Sequence, residues 1–381
     1  MATNEFGLPS EAMLAEKLDT QNVLLASIAA AQGGVTPTSW KDVQNIVRNG
    51  LAPKVFAVGD QFTVKRGSAN LVFDIIGFDH DVPADAQFKH SMTLQLHDAF
   101  DGTQYDAPEA IYYAEEELPA GTYNFTIVAY DKWAAGTYQF TTTKAIPAGG
   151  QVVLNGYYAY NGAFTNAKIR TYSKQTDTTP LETDLVITAG SGGTALQNVN
   201  HVQRISYGSS NWSESAMRQF LNSDKAAGSV WTPQTKYDRP PSWVSSLAGW
   251  QNGMDAEFLK VIGAVTKRTC KNNVNEGGGY TDTKDKFFLL SRTEVFMNPE
   301  VSSVDEGAPY DYYKNYSDYT SRNDGADKNR IKYRSSAAQW WWLRTPRTGD
   351  AGSVRRVGTT GQLHNYGAYH GDSVAPACNI I

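Results

Sequence analysis

The spacing of apolar residues changes character along the chain, and each change marks off a segment. Residues 10–31 carry Leu14, Leu18, Leu25 and Ile28 at three- or four-residue steps with gaps, with alanines filling much of the remainder, which predicts one helix. Such a short, weakly charged helix is marginal alone, because most helical stability comes from packing. It therefore lies either against partner chains or another surface, or as a plain surface helix. Gly33 and Gly34 break the pattern. Ser39 is placed to cap a second helix over 40–47, with Asp42 in its first turn and Gly50 as its stop.

From Pro53 the period drops to two. Phe56, Val58, Phe62 and Val64 alternate on either side of Gly59-Asp60, and 71–76 continue as a buried strand. Further strands are predicted at 92–96, 110–113, 123–130, 136–142 and 151–155. Pro119-Ala120-Gly121, Ala134-Ala135-Gly136 and Pro147-Ala148-Gly149-Gly150 supply turns between them. Short strands at this spacing predict a β-sandwich.

A Thr-, Gly- and Ser-rich stretch over 179–193 leads into a mixed region. Ser213 is placed to cap a short helix holding Met217, Phe220 and Leu221. A second helix is predicted over 255–265, and the apolar run Phe287-Phe288-Leu289-Leu290 reads as a central strand. Residues 305–330 form a long insertion. Most of its Tyr310, Tyr312, Tyr313, Tyr316 and Tyr319 are expected to pack it onto the body, since a loop this long needs its own small core.

The last stretch differs from everything before it. Trp340, Trp341, Trp342 and Leu343 make sense only in a core, and Val374 to Cys378 give an apolar ending. Between them, 344–369 read RTPRTGDAGSVRRVGTTGQLHNYGAY. Two buried anchors around a polar, aromatic, Gly-punctuated middle are how a rigid scaffold presents a recognition surface. Tyr, Asn and Gly are favoured in adaptable paratopes, with Arg at their hot spots, and Tyr offers contact area at little rotamer entropy.

Composition narrows the choice of function. A length of 381 residues is enough for two or three domains, and charged residues, at 19%, fall below the usual quarter. A net charge of -5 argues against a general nucleic-acid binder, which needs clustered Lys and Arg. Two cysteines, Cys270 and Cys378, are too few for a disulfide framework. Asp79, His80, Asp81, His90, His97 and Asp98 lack a metal-ligand spacing and are expected on a solvated face. With no apolar leader and no long apolar run, synthesis in the cytoplasm is expected.

Three segments carry a resemblance. They are Asn211-Trp212-Ser213-Glu214-Ser215 with Arg218, Phe220, Leu221 and Asn222; Phe287 to Ser291 with Glu294-Val295; and Trp341 to Pro346 with Gly361 and Val374 to Ala377. Together they resemble the C-type-lectin-fold domains of phage and bacterial surface proteins. With Trp40 and Gly59-Asp60-Gln61 added, the whole chain resembles the family of phage major tropism determinants, the receptor-binding tips of tail fibres.

The resemblance implies a mostly β homotrimer whose C-terminal domain is α+β. Residues 1–48 would form a β-prism trimerisation segment, 49–170 a β-sandwich, and 171–381 a C-type lectin fold. It further implies a virion protein at the fibre tip, partnered by other tail-fibre proteins. Its target would be a bacterial outer-membrane protein such as a pertactin-like autotransporter adhesin, bound through a surface diversified by a retroelement. The matching positions are Arg344, Pro346, Arg347, Thr348, Asp350, Val357, Thr359, Thr360, His364, Tyr366, Ala368 and Tyr369. The small or apolar Gly349, Gly352, Val354, Gly358, Gly361, Leu363 and Gly367 would be scaffold.

No catalytic residue and no cofactor is expected, and the Glu-Pro-Asn and Gln-Pro-Asp motifs of calcium-dependent sugar binding are missing. A structural ion elsewhere stays open. Two alternatives compete. A tail enzyme would need paired carboxylates, as in a depolymerase, or a reactive cysteine pair, as in a formylglycine-generating oxidase. Asp350 is the only carboxylate in 344–369. A structural fibre adaptor would leave the chemistry of that segment without a purpose.

Overall fold

The computed structural model describes residues 11–33, 36–127, 135–155, 167–200, 202–314 and 324–381. Strand at 33% against helix at 18% makes the chain mostly β, built of curled sheets. The described residues within 11–48 hold two helices, α1 (Glu11–Ala31) and α2 (Trp40–Arg48), and no strand. The β-prism implied for this segment is thus replaced by the helices that the apolar spacing indicates. Ser39 caps α2 reciprocally with Asp42, and Val43, Ile46 and Val47 point into the core.

The strands sort into two bodies. In the first, Gln61–Arg66, Ala69–Phe78 and Met92–Leu96 continue into the C-terminal strand Ala377–Ile380 and then Ile262–Gly263. Ala377 pairs with Gln95 and Ile380 with Met92, so the end of the chain lies inside a sheet begun 300 residues earlier. Phe287–Phe288 joins the same C-terminal strand. The predicted central strand is therefore only two residues long. Leu289 and Leu290 are buried beyond it, and the Leu290 carbonyl accepts from the Arg344 amide at 2.9 Å.

A five-stranded sheet completes this body, in the order Leu363–Gly367, Ser353–Val357, Trp341–Pro346, Gly371–Val374, Phe100–Gln104. Residues 61–104 thus pair with the C-terminal part, across the boundary expected at 170/171. The second body lies between them in sequence. Two four-stranded sheets share a core of Phe125, Phe140, Val152, Leu154 and Ile169, closed by Val202 and Ile205. This two-sheet unit is where the sandwich-like strands reside.

Local differences have local causes. The helix Ala216–Leu221 is capped by Ser215, whose hydroxyl accepts from the Arg218 amide. Ser213 lies two residues before that cap position, and its hydroxyl donates to Asn211 Oδ1 at 2.8 Å. The strand expected over 123–130 is Gly121–Ile127, and 128–130 fall outside the described residues. Tyr310 and Tyr313 are buried and pack the insertion down, while Tyr316 and Tyr319 fall outside the described residues.

Candidate functional site

The scaffold of the site is the strand Trp341–Pro346, buried at every position. Adjacent side chains of a strand point to opposite faces, so both faces of this strand are covered. Each indole is satisfied: Trp341 Nε1 donates to the Arg330 carbonyl at 3.0 Å, and Trp342 Nε1 donates to that of Thr103 at 3.1 Å.

Arg344 sits fully buried in this strand. Its guanidinium donates to Glu294 at 2.6 and 3.2 Å, to the Leu289 and Glu306 carbonyls at 2.9 and 2.8 Å, and to Thr269 Oγ1 at 3.2 Å. Glu294 also receives Lys267 at 3.0 Å, and Lys267 reaches Asp81 and Tyr310. Burial alone would raise the Glu294 pKa, but Arg344 and Lys267 outweigh it and hold the carboxyl below its ordinary range. A neighbouring acid goes the other way. Burial pushes Glu306 up to about 7, with Arg344 opposing only in part. A cleft of about 400 Å³ opens beside these groups, lined by His80, Lys267, Arg268, Asp282, Glu306 and Arg344 among others.

The adjoining strand pair faces outward. In its register Arg356 lies opposite His364 and Val354 opposite Tyr366, which places Arg356, His364 and Tyr366 on one face. The Arg356 guanidinium lies 4.0 Å from the ring centres of both Trp340 and Tyr366, and pairs with Asp372 at 2.8 Å. His364 meets Trp340 edge-on at 4.8 Å. Tyr366 stacks on His370 at 3.9 Å and 11°, His370 touches Tyr369 at 3.9 Å, and Tyr369 meets Tyr207 at 5.8 Å. Seven half-buried side chains therefore form one continuous run across the surface.

Gly352 makes the far end of this run possible. A β-carbon at Gly352 would collide with that of Tyr207. Burial, with Arg356 adding to it, lowers the pKa of both His364 and His370, so both imidazoles favour the neutral form beside the arginine. Burial raises the Asp372 pKa, partly offset by Arg356.

On the opposite face Arg355 grips Glu300 with two bonds of 2.7 Å. Glu300 also receives Arg292 at 2.8 Å and the Thr348 amide at 3.2 Å. Asp350 accepts from the Gly352 amide at 2.9 Å and the Ser353 hydroxyl at 2.8 Å. These bonds hold the 347–352 turn next to the strand pair.

The positions implied by the resemblance divide accordingly. Arg344, Pro346, Val357 and Ala368 are buried and offer no surface to a target. Arg347 and Thr360 are exposed; Thr348, Asp350 and Thr359 are half-buried in turns. His364, Tyr366 and Tyr369 belong to the ring run. That run adds Trp340, Arg356, His370 and Tyr207. Arg356 and His370 are polar members of the same segment, whereas nothing in the sequence ties Tyr207 to it.

The acid and histidine set near residue 80 separates into pairs. His97 lies 2.9 Å from Asp74, His90 lies 2.9 Å from Asp79, and His80 contacts Asp81 and the Ala308 carbonyl. Asp81 belongs to the buried Lys267 network, and Asp98 is exposed. Among the described residues no group of three or more His, Cys, Asp and Glu is placed to hold a metal. Cys270 and Cys378 are both buried and unbridged. Burial pushes both thiols up, and for Cys270 the neighbouring Glu306 pushes further.

No curated protein and no solved structure matches the chain. Residues 177–381, more than half of its length, match the domain of unknown function DUF6273. The matched region contains the buried tryptophan strand and all seven side chains of the ring run. The chain belongs to the DUF6273 family.

Proposed function

We propose that this protein is a phage receptor-binding protein of the major tropism determinant type. It grips a bacterial surface protein through the outer strand pair of a C-type-lectin-like scaffold. The observation that carries this reading is the run His364, Trp340, Arg356, Tyr366, His370, Tyr369 and Tyr207, displayed on a sheet whose inner strand is fully buried. Aromatic and Arg side chains supply most of the energy of protein interfaces, and their rotamers here are already fixed by stacking.

A surface diversified by a retroelement needs positions whose side chains change without touching the core. Arg347, Thr348, Asp350, Thr359, Thr360, His364 and Tyr369 meet that condition, while Tyr366 also rests against the edge of the main core. The target class carried by the resemblance is an outer-membrane adhesin, the working location is the tail-fibre tip of the virion, and the assembly is a homotrimer. The oxidase alternative draws little support from two buried thiols with raised pKa values. Of the carboxylates lining the 400 Å³ cleft, Asp81, Asp282 and Glu294 are held by Lys and Arg partners, Glu306 is fully buried, and Asp305 is exposed and accepts from the Gly307 amide.

The test is binding of the full chain to intact bacteria from a host panel, with and without protease treatment of the cells. Protease-sensitive binding that Tyr366→Ala or Tyr369→Ala weakens about 10- to 100-fold supports the reading. Unchanged affinity in both folded variants moves the binding site elsewhere.

A further inference from the structure

The chain passes between its two bodies twice, after Gln104 and after Tyr207, and both crossings meet at one arginine. Arg204 lies on the helix Val202–Tyr207, whose Val202 and Ile205 belong to the core of the second body. Its three nitrogens reach carboxylates from three separate segments. Nε lies 2.7 Å from Glu109 on the first crossing, Nη2 2.8 Å from Glu214, and Nη1 2.8 Å from Glu276. Burial disfavours the charge of Arg204, but Glu109, Glu276 and Glu214 outweigh it and raise its pKa. Asn200 donates to Glu109, and Asn211 donates to Glu276 at 3.2 Å, so both acids are also held from behind.

Three residues further along the same helix stands Tyr207, the last member of the ring run, on the same side of the helix as Arg204. Its ring meets Tyr369 at 5.8 Å and 49°, looser than the 3.9 Å contacts elsewhere in the run, so stacking alone does not decide where it sits. A second route joins it to Arg204. Glu276 belongs to the 271–279 loop, whose Asn273 amide donates to the Thr348 carbonyl at 2.8 Å. Thr348 lies in the 347–352 turn, where Asp350 accepts from the Gly352 amide at 2.9 Å. Tyr207 packs where Gly352 leaves room, and its carbonyl accepts from the Tyr369 amide at 3.1 Å. The path from Arg204 through Glu276, Asn273, Thr348 and Gly352 to Tyr207 thus returns along one helix to its start.

We infer that Arg204 is a positioning residue for target recognition: it clamps the loop and the turn against its own helix and so fixes Tyr207 in the ring run. The purpose of this clamp rests on the receptor-binding reading, whereas the clamp itself rests on the contacts of Arg204. A guanidinium suits the task because its planar fork holds several acceptors at fixed angles, which a lysine ammonium on a flexible stem does not.

Hydrogen exchange is the first readout, because it needs no target. In Arg204→Met the amides of Asn273 and Tyr369, which close the path, should exchange about tenfold faster, while those of Ser353–Val357 keep their native rates. Arg204→Lys keeps the charge without the three-way reach and should behave as Arg204→Met does. Glu276→Gln cuts the same path more gently and should shift exchange in the same direction, which covers an Arg204→Met chain that fails to fold. The second readout is binding of the full chain to intact bacteria that bind the native chain. Tyr207→Ala should weaken it about 10- to 100-fold, and Arg204→Met about 2- to 30-fold. The double variant should lose no more than Tyr207→Ala alone, since Arg204 acts through that ring. Native exchange at Asn273 and Tyr369 in a folded Arg204→Met or Glu276→Gln chain overturns the inference. So does recovery of both readouts by Arg204→Lys, or a double variant whose losses add. If Tyr366→Ala weakens binding and Arg204→Met does not, the receptor-binding reading stands and the inference falls. If Tyr366→Ala and Tyr207→Ala both bind as the native chain does, that reading fails, and exchange alone decides the clamp.

Discussion

Two arginines from one segment, twelve residues apart, have opposite settings, and the difference separates scaffold from surface. Arg344 is fully buried, and each of its nitrogens meets a protein acceptor. Arg356 lies half-buried between the Trp340 and Tyr366 rings, paired with Asp372 through one nitrogen and with its Nε without a hydrogen-bond partner. The inner strand keeps its polar groups satisfied so that it can be rigid. The outer pair keeps flat groups half-open so that another surface can meet them.

Breaking the inner side should have the largest effect. Arg344→Ala leaves the buried Glu294 and Asp81 carboxylates sharing the single Lys267 cation and should destabilise the fold by about 3–5 kcal/mol, the cost of breaking a buried pair. Denaturant melting checks it, and a change under about 1 kcal/mol would show the network to be dispensable. Trp342→Ala comes next. It removes a fully buried indole together with its bond to Thr103, at about 3–5 kcal/mol. Trp340→Ala, on the half-open side, should fall well below it in the same assay.

A pH scan of the native chain against Glu306→Gln sharpens the comparison, because the difference isolates the inner side from His364 and His370, whose pKa values are lowered, and from Glu109, also raised to about 7. Burial raises the folded-state pKa of Glu306 to about 7 from 4.5, so folding favours its protonated form. Its contribution is complete below about pH 4.5 and is lost as pH rises through about 7. The melting temperature should therefore fall between pH 5 and pH 8, and Glu306→Gln should flatten that part of the curve. Glu294, shifted the other way, contributes above its ordinary range and loses its contribution only on acidification. The smallest effect belongs to Arg347→Ala, an exposed turn position that should move stability by less than about 0.5 kcal/mol.

What was legible in the sequence was mostly local. The Ser39 and Asp42 cap, the period of α1, the early strands and the burial of Trp341 and Trp342 all follow from neighbours within a few residues. What was not legible depends on distant partners. The pairing of Met92–Leu96 with Ala377–Ile380 joins segments far apart in sequence, and no local pattern announces it. The resemblance places Arg344 among the contact positions and it stands in a polar stretch, whereas Glu294, its counter-charge, lies 50 positions away. Tyr207 enters the ring run from a helix far upstream, admitted by the missing side chain of Gly352. The β-prism came from resemblance alone, and the helical period of the residues themselves was the better guide.

The central claim is that the outer strand pair binds and the inner strand only supports. Its most direct test measures melting temperature and monovalent affinity for bound host cells together, in Tyr366→Ala and in Trp342→Ala. The expected result is a split: Tyr366→Ala keeps its melting temperature within a few degrees and loses about 10- to 100-fold in affinity. Trp342→Ala, at a temperature where it is still folded, should melt far lower yet bind as the native chain does. Full affinity in a folded Tyr366→Ala protein would contradict the account.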